Sequence, residues 1–404
     1  MHGARANATR KRAACVAAGA LVLLAGCVRR PEPGDPLPGL TRAERARFEA
    51  GREVFEREFT PETGLGPLFN SNSCGECHED PKLGGTGDEI EIHATAFLVR
   101  SPEAAAPGSS GAGPACDPLV DQGGPVVQQQ VTPALKEALG ISEEPIPPRA
   151  TSTGRRTTPS ILGFGLLDAV PDEAILAYAD PEDRDQDGIS GRPNRFVDGR
   201  LGRFGRKAFA PDLREFNAGA FLIEQGITSP DQQAEETIGG LPVPPGVDPV
   251  ADPEMSAEDL ARADDFVRLL APPSRLPGGR ESRRGERVFT EIGCAACHVP
   301  KLVTGKSQVR ALSRREVGAF TDLLLHDMGP GLADICLGLA TPAEFRTEPL
   351  MGLRLKSSFL HDGRAASIED AIRQHGGEGQ RARDRFDALP EARRLSLIRF
   401  LKTL

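Results

Sequence analysis

Apolar positions recur at helical spacing in four stretches of this chain, and the four fall into two similar pairs. TRAERARFEAGREVFERE (41–58) opens the first pair. SAEDLARADDFVRLLAPP (256–273) closes it, with Leu260, Phe266, Leu269 and Leu270 near helical spacing. Ser256 followed three residues later by Asp259 is a capping signal, and Pro272 stops the run. GGRESRRGERVFTEI (278–292) and PEARRLSLIRFLKTL (390–404) form the second pair. The segments GREVFERE (51–58) and GERVFTEI (285–292) match closely, so the chain reads as a duplication. The Pro- and Gly-rich stretch 272–279 places the boundary between an N-terminal unit, 41–275, and a C-terminal unit, 276–404. The longer first unit holds most of the insertions. PEAAAPGSSGAGPACDP (102–118) and GGLPVPPGVDPVADP (239–253) read as loops. Alternating β-branched runs are sparse, so the pattern predicts a mainly α protein with short hairpins.

Chemistry enters directly after each lead-in helix. CGECH (74–78) and CAACH (294–298) are two copies of Cys-x-x-Cys-His. Two thiols at this spacing can form thioether bonds to the vinyl groups of one haem, with the adjacent histidine as proximal iron ligand. A zinc or redox Cys-x-x-Cys site is the competing reading. The repeated histidine and the repeated helical context speak against it. Cys74, Cys77 and His78, with Cys294, Cys297 and His298, therefore predict two covalently bound haem c groups. The expected fold is mainly α, with two cytochrome c-like haem domains, the first enlarged by loop insertions.

The N-terminal segment fits an exported cytochrome. Arg5, Arg10, Lys11 and Arg12 precede an apolar stretch from Ala13 to Ala25 that is too short to span a bilayer. LLAGC (23–27) resembles the lipobox of bacterial lipoproteins. That resemblance implies cleavage after residue 26 and acylation of Cys27, with 27–40 as a tether. An ordinary signal peptide with a chance cysteine is the alternative. The protein is then expected in the cell envelope, lipid-anchored at the outer membrane and facing the periplasm. Loss of four positive charges takes the formal net charge from −9 to about −13. This excludes nucleic acid as a natural partner and suits basic proteins. Cys116 and Cys336 are the cysteines left over; in an oxidising compartment they pair, or they remain two buried thiols.

Further segments carry a family resemblance. GRRTTPSILG (154–163), FTDLLLHDMG (320–329) and FRTEPLMGLRLKSSFLHDGRAASIEDAI (345–372) are similar to segments of bacterial diheme cytochrome c peroxidases. Together with LGRFGRKAFAPDLREFNAGAF (201–221) and DRDQDGISGRPN (183–194), they resemble more closely a branch of diheme oxidoreductases sometimes labelled thiol oxidoreductases. The resemblance covers most of residues 45–404. It implies one electron-transfer haem, one haem that reduces peroxide or oxidises a substrate, and a small periplasmic redox protein as electron donor or acceptor. A non-enzymatic electron carrier with both irons six-coordinate is the alternative, and an assembly partner for another envelope protein is a third reading.

An electron-transfer haem needs a sixth ligand, and a reactive haem needs an open side with a proton-transfer group nearby. The distal candidates are His93, His326, His361, His375, Met255, Met328 and Met351. Met328, on the Gly/Pro-flanked loop HDMGPG, is the choice for the C-terminal haem, a gap-filling core methionine being the alternative. His326 and His361 are expected to bond propionates or backbone rather than iron. His93 either closes the distal side of the N-terminal haem or is a half-buried strand or helix histidine. Glu224 falls near the region that supplies a catalytic carboxylate in the peroxidases; a solvated glutamate at a helix end is the other reading. Arg155 and Arg156 are candidates to pair a haem propionate. The chain has no Trp, and its one Tyr, Tyr178, reads as core. The peroxidases commonly place a Trp between their haems where Arg206 stands here. Asp183, Asp185 and Asp187, with Gly188, suggest a calcium loop, although Asn194 in the twelfth position departs from an EF-hand; an Asp-rich turn without metal is the alternative.

Overall fold

The computed structural model describes residues 30–99 and 114–404. The signal segment, Cys27 and residues 100–113, which include most of the first expected loop, lie outside the described residues. The helices that bear on the sites are α1 (Arg42–Phe55), α2 (Leu213–Gln225), α3 (Ala257–Leu269), α4 (Arg280–Glu291), α5 (Ile368–Arg373) and α6 (Glu391–Leu401). Local signals fix their starts. Thr41 Oγ1 accepts from the Glu44 amide at 3.2 Å while Glu44 Oε2 accepts from the Thr41 amide at 2.7 Å, a complete capping box. Ser256 Oγ likewise accepts from the Asp259 amide at 3.0 Å.

Helix α1 packs on α3, and α4 packs on α6. A glycine stands at each crossing. A Cβ on Gly51 would lie 2.0 Å from the Arg262 carbonyl oxygen, and one on Gly285 would lie 1.9 Å from that of Ser396. Neither distance is possible, so each crossing requires glycine despite its cost of about 1 kcal/mol in a helix interior. The aromatic packing repeats as well. Phe266 stacks its ring 4.8 Å from Phe55, and Phe400 sits 5.4 Å from Phe289. Phe55 and Phe289 each lie four residues beyond the crossing glycine, one helical turn along the same face.

The expectation of a mainly α fold needs correction. Helix covers 31% and strand 14% of the chain, and the strands are not confined to hairpins. IEIHATAFLV forms β1 (Ile90–Val99), a ten-residue spine. It pairs antiparallel with β2 (Pro114–Asp117), β3 (Val126–Val127) and β4 (Ser152–Thr157). Isoleucine, threonine and phenylalanine make this run a good strand, and the long connections that carry its partners hide the pairing from local pattern. Two short strands matter in the C-terminal part: β5 (Leu325–Asp327) pairs antiparallel with β6 (Glu344–Arg346).

By its contacts the chain from Pro31 to Leu404 is one unit. Its largest apolar cluster joins Phe48, Phe55, Phe204 and Phe266 to Leu312, Leu323 and Leu324. A buried ionic knot also crosses between the parts. Lys207, with no exposed side-chain surface, lies 2.8 Å from Asp334 and donates to the Glu344 carbonyl at 2.7 Å. Arg156 of β4 holds the same aspartate at 2.9 Å. Arg156 is thereby taken by Asp334 rather than left for a propionate, and Arg155 is exposed.

Two residues beyond Asp334, Cys336 is joined to Cys116 of β2 by a disulfide with the Cα atoms 5.6 Å apart and 220 residues between them in sequence. A link closing so long a loop constrains the unfolded chain strongly. Replacing both cysteines by serine is predicted to lower the unfolding free energy by about 2–5 kcal/mol. Urea unfolding of the variant and the oxidised protein measures this, and coincident curves would contradict it.

Candidate functional site

Each Cys-x-x-Cys-His follows its lead-in helix as a single tight turn. Cys74–Cys77 is one helical turn capped by Ser73, whose Oγ accepts from the Gly75 amide at 3.1 Å. Cys294–Ala296 is a 3-10 turn entered through Gly293, which takes a φ of +99°. The turns present their histidines alike. His78 Nδ1 bonds the Gly85 carbonyl at 3.1 Å, and His298 Nδ1 bonds the Phe320 carbonyl at 3.0 Å. In both rings this fixes the tautomer and reserves Nε2 for a metal. The aromatic ring from the lead-in helix sits beside each, Phe55 at 5.9 Å from His78 and Phe289 at 6.5 Å from His298. Burial pushes the thiols of Cys74, Cys77 and Cys294 up to about 12. Neutral thiols of this kind are poor thiolate nucleophiles. No cysteine belongs to a metal-holding group of three or more ligands among the described residues.

The C-terminal motif opens into a cavity of about 980 Å³ whose walls include His298, His326, Met328, His361 and His375. Donor set and space both fit a haem. His375 follows α5, and its Nδ1 bonds the Ala371 carbonyl at 2.8 Å, which leaves Nε2 free. Burial lowers its proton affinity, so the ring is neutral and able to ligate. Met328, on the loop after β5, is half-buried in the same wall. Gly379 separates the two: a Cβ there would lie 3.1 Å from His375 Cβ and 3.3 Å from Met328 Cε.

His326 and His361 have other partners. His326 lies between two carboxylates, Asp322 at 2.8 Å and Glu378 at 2.6 Å. Burial opposes its charge, but the bonds to Asp322, Cys297 and Glu378 outweigh that and hold its proton affinity well above the usual value. His361 stacks on Phe345, ring centroids 4.4 Å apart.

The N-terminal motif is enclosed more tightly. Its cavity measures about 80 Å³ and is lined by Cys74, Cys77, His78, Glu91, Phe216, Phe221 and Glu224 among others. The donors match a haem, and the cavity between them and α2 is much narrower than the C-terminal one. Glu224, near the end of α2, accepts from Asn70 Nδ2 at 2.8 Å. It is part of the cavity wall rather than a solvated helix end. Burial first, and then the neighbouring charge of Glu91, raise its proton affinity well above normal. Burial acts the same way on Glu91, but the His93 bond and the charges of His93 and Arg156 prevail and hold it below the usual range. The two enclosed carboxyls are thus pushed apart in proton affinity, Glu224 upward and Glu91 downward. His93 is the partner of Glu91 at 3.0 Å and does not line the cavity.

Other expectations shift position. The carboxylates that converge are Asp180, Asp183 and Asp185. Asp187 instead accepts from the Ile189 amide at 2.8 Å within its own turn. Asp180 went unnoticed because it precedes the alternating run. A second group, Glu235, Asp248, Asp252 and Glu254, comes from the loop-rich insertion. Tyr178 is 44% exposed and so is not core. Met255 is a core residue, packed with Phe59 and Phe221.

Residues 149–404 match the family model described as "Di-haem oxidoreductase, putative peroxidase". The chain belongs to the di-haem oxidoreductase family. The family is named for two haems, in agreement with the two Cys-x-x-Cys-His turns. Over 141 residues the chain is 30% identical to the methylamine utilization protein MauG of Methylorubrum extorquens; the match spans 31% of this chain and 35% of that protein. The diheme peroxidase BthA of Burkholderia thailandensis aligns at 17% identity over 89% of this chain and 86% of its own, with a TM-score of 0.41. Hydrazine synthase of Kuenenia stuttgartiensis aligns at 13% identity over 98% and 100%, with a TM-score of 0.38.

In this member of the di-haem oxidoreductase family, the raised proton affinity of His326 links the C-terminal cavity to stability. Its folded proton affinity exceeds the unfolded value of about 6.5, so its contribution is full below that pH and disappears as pH rises through the folded value. The urea midpoint is predicted to fall as pH rises above about 6.5 towards the folded value of His326, and to fall less steeply in Glu378→Gln. Parallel pH profiles would contradict this.

Proposed function

We propose that the chain is an exported, peroxidase-like diheme oxidoreductase in which the C-terminal haem transfers electrons and the N-terminal haem meets the substrate. Cys74 and Cys77 attach one haem and Cys294 and Cys297 the other, with His78 and His298 as proximal ligands. The observation that carries this reading is unequal ligand supply. The C-terminal cavity offers His375 and Met328 for a sixth position, whereas the N-terminal cavity offers no second histidine or methionine and presents Glu224 instead.

A bound haem c supplies the redox change at iron and, where a side remains open, a place for peroxide. The chain supplies the rest. Glu224 holds a proton on its carboxyl and can deliver it. Asn70 orients that group, and Glu91 stays ionised against His93 and keeps the proton on Glu224. Phe216 and Phe221 limit water. His375 is the better sixth ligand for the C-terminal haem, since its free Nε2 is set by the bond to Ala371. Met328 is the competing one.

The setting is proposed with it: cleavage after residue 26, lipid on Cys27, and an outer-membrane location facing the periplasm. The electron partner is a small redox protein. Residues 31–275 carry a net charge of −20 and residues 276–404 a net +5, so the electron-transfer half suits an acidic partner more than the overall charge implies. Calcium is proposed at Asp180, Asp183 and Asp185, with Asp187 shaping the turn.

Electron paramagnetic resonance and optical spectra of the purified protein test the reading. We expect one low-spin iron and one that reacts with peroxide. Glu224→Gln should slow that reaction by about 10²–10⁴-fold. His375→Ala should turn the C-terminal iron high-spin, and Met328→Ala should not. Two low-spin irons inert to peroxide in every redox state would leave a simple electron carrier.

A further inference from the structure

One wall of the C-terminal cavity is cationic. Arg206, Arg346 and Lys356 converge on Glu348, at 3.1, 2.8 and 3.0 Å respectively, and all four residues line the cavity with Cys294, Cys297 and His298. Three cations meet one carboxylate, so two positive charges are left unbalanced. The Arg346 side chain is 2% exposed and that of Arg206 12%. The Nε atoms of both are buried and have no hydrogen-bond partner. Enclosed guanidinium groups with spare donors are costly unless an anion completes them, and a carboxylate matches their fork.

We propose that Arg206, Arg346 and Lys356 form a carboxylate-binding site that takes the propionates of the haem in the C-terminal cavity. The site rests on reading Cys294–His298 as a haem attachment point. It also borders the partition between the cavities. Arg206 Nη2 donates to the Thr157 carbonyl at 3.2 Å. The next residue, Thr158, lines both cavities, and its Oγ1 is buried without a partner. Positive charge held here favours the reduced haem, whose net charge is lower by one. Arg206 thus acts as a positioning and potential-setting residue.

Spectroelectrochemical titration of the two-haem protein tests this, following the C-terminal haem in Arg206→Gln, Lys356→Gln and Glu348→Gln, with the exposed Arg399→Gln as control. Losing Arg206 or Lys356 should lower the potential by about a tenfold change in the reduction equilibrium, 59 mV for one electron. Glu348→Gln should raise it, Arg206→Lys should recover most of the loss, and the control should titrate as wild type. The propionate bands in resonance Raman spectra should shift in Arg206→Gln and Lys356→Gln alone. Two bound haems with invariant potentials and bands would overturn the site and leave the proposed function standing. A wild-type potential that depends on added acetate, lost in Arg206→Gln, would assign the site to a free carboxylate and overturn the propionate assignment. Absence of haem on Cys294 and Cys297 would overturn the attachment reading and this site with it.

Discussion

Backbone-to-backbone contact at two glycines is the constraint on which the rest of this structure depends. Gly51 brings α1 against α3, and Gly285 brings α4 against α6, each so closely that no side chain fits between the helix and a facing carbonyl. The approach lets Phe266 and Phe400 reach across to Phe55 and Phe289. Those two rings then stand beside His78 and His298. A residue with no side chain thus bears, through two aromatic layers, on where the histidine of each Cys-x-x-Cys-His turn sits. The cost of glycine in a helix is about 1 kcal/mol per position, small against the several kcal/mol that two buried phenylalanines contribute.

On this repeated frame the two cavities diverge. The C-terminal one is wide and ringed by histidine, methionine and cationic groups. The N-terminal one is narrow and walled by two carboxyls whose proton affinities are pushed apart. On the proposed reading the same scaffold offers ligand saturation at one end and proton delivery at the other. That division is what a two-centre redox enzyme requires, because one iron must only exchange electrons while the other handles chemistry. The disulfide and the Lys207–Asp334–Arg156 knot fasten the strand-rich insertion to the C-terminal part, so the cavities are held in one body rather than in two tethered lobes.

Features set by neighbours in sequence were legible from the chain. The Cys-x-x-Cys-His turns, the Ser256 cap and the four helices depend on contacts within four residues. The matched glycines were visible as a repeat, but their role became clear only against Arg262 and Ser396. Features made by distant partners were not legible. Cys116 and Cys336 were left open between a bond and two thiols because 220 residues separate them. His375 stood as one candidate among seven, and only its bond to Ala371 and its place in the cavity single it out. Asp180 replaced Asp187 because chain direction, not spacing, decides which carboxylates converge. Arg156 was expected at a propionate and is spent on Asp334, while the cationic wall around Glu348 draws on three segments that no local pattern unites.

The account claims that each glycine-crossed helix pair builds one haem site. Peptide mapping of covalently bound haem by mass spectrometry tests that most directly, on the wild-type protein and on Gly285→Val. Wild type should carry haem on the peptides containing Cys74–His78 and Cys294–His298, and Gly285→Val should lose it from the second alone. Haem on both peptides of the variant, or on neither peptide of the wild type, would contradict the account.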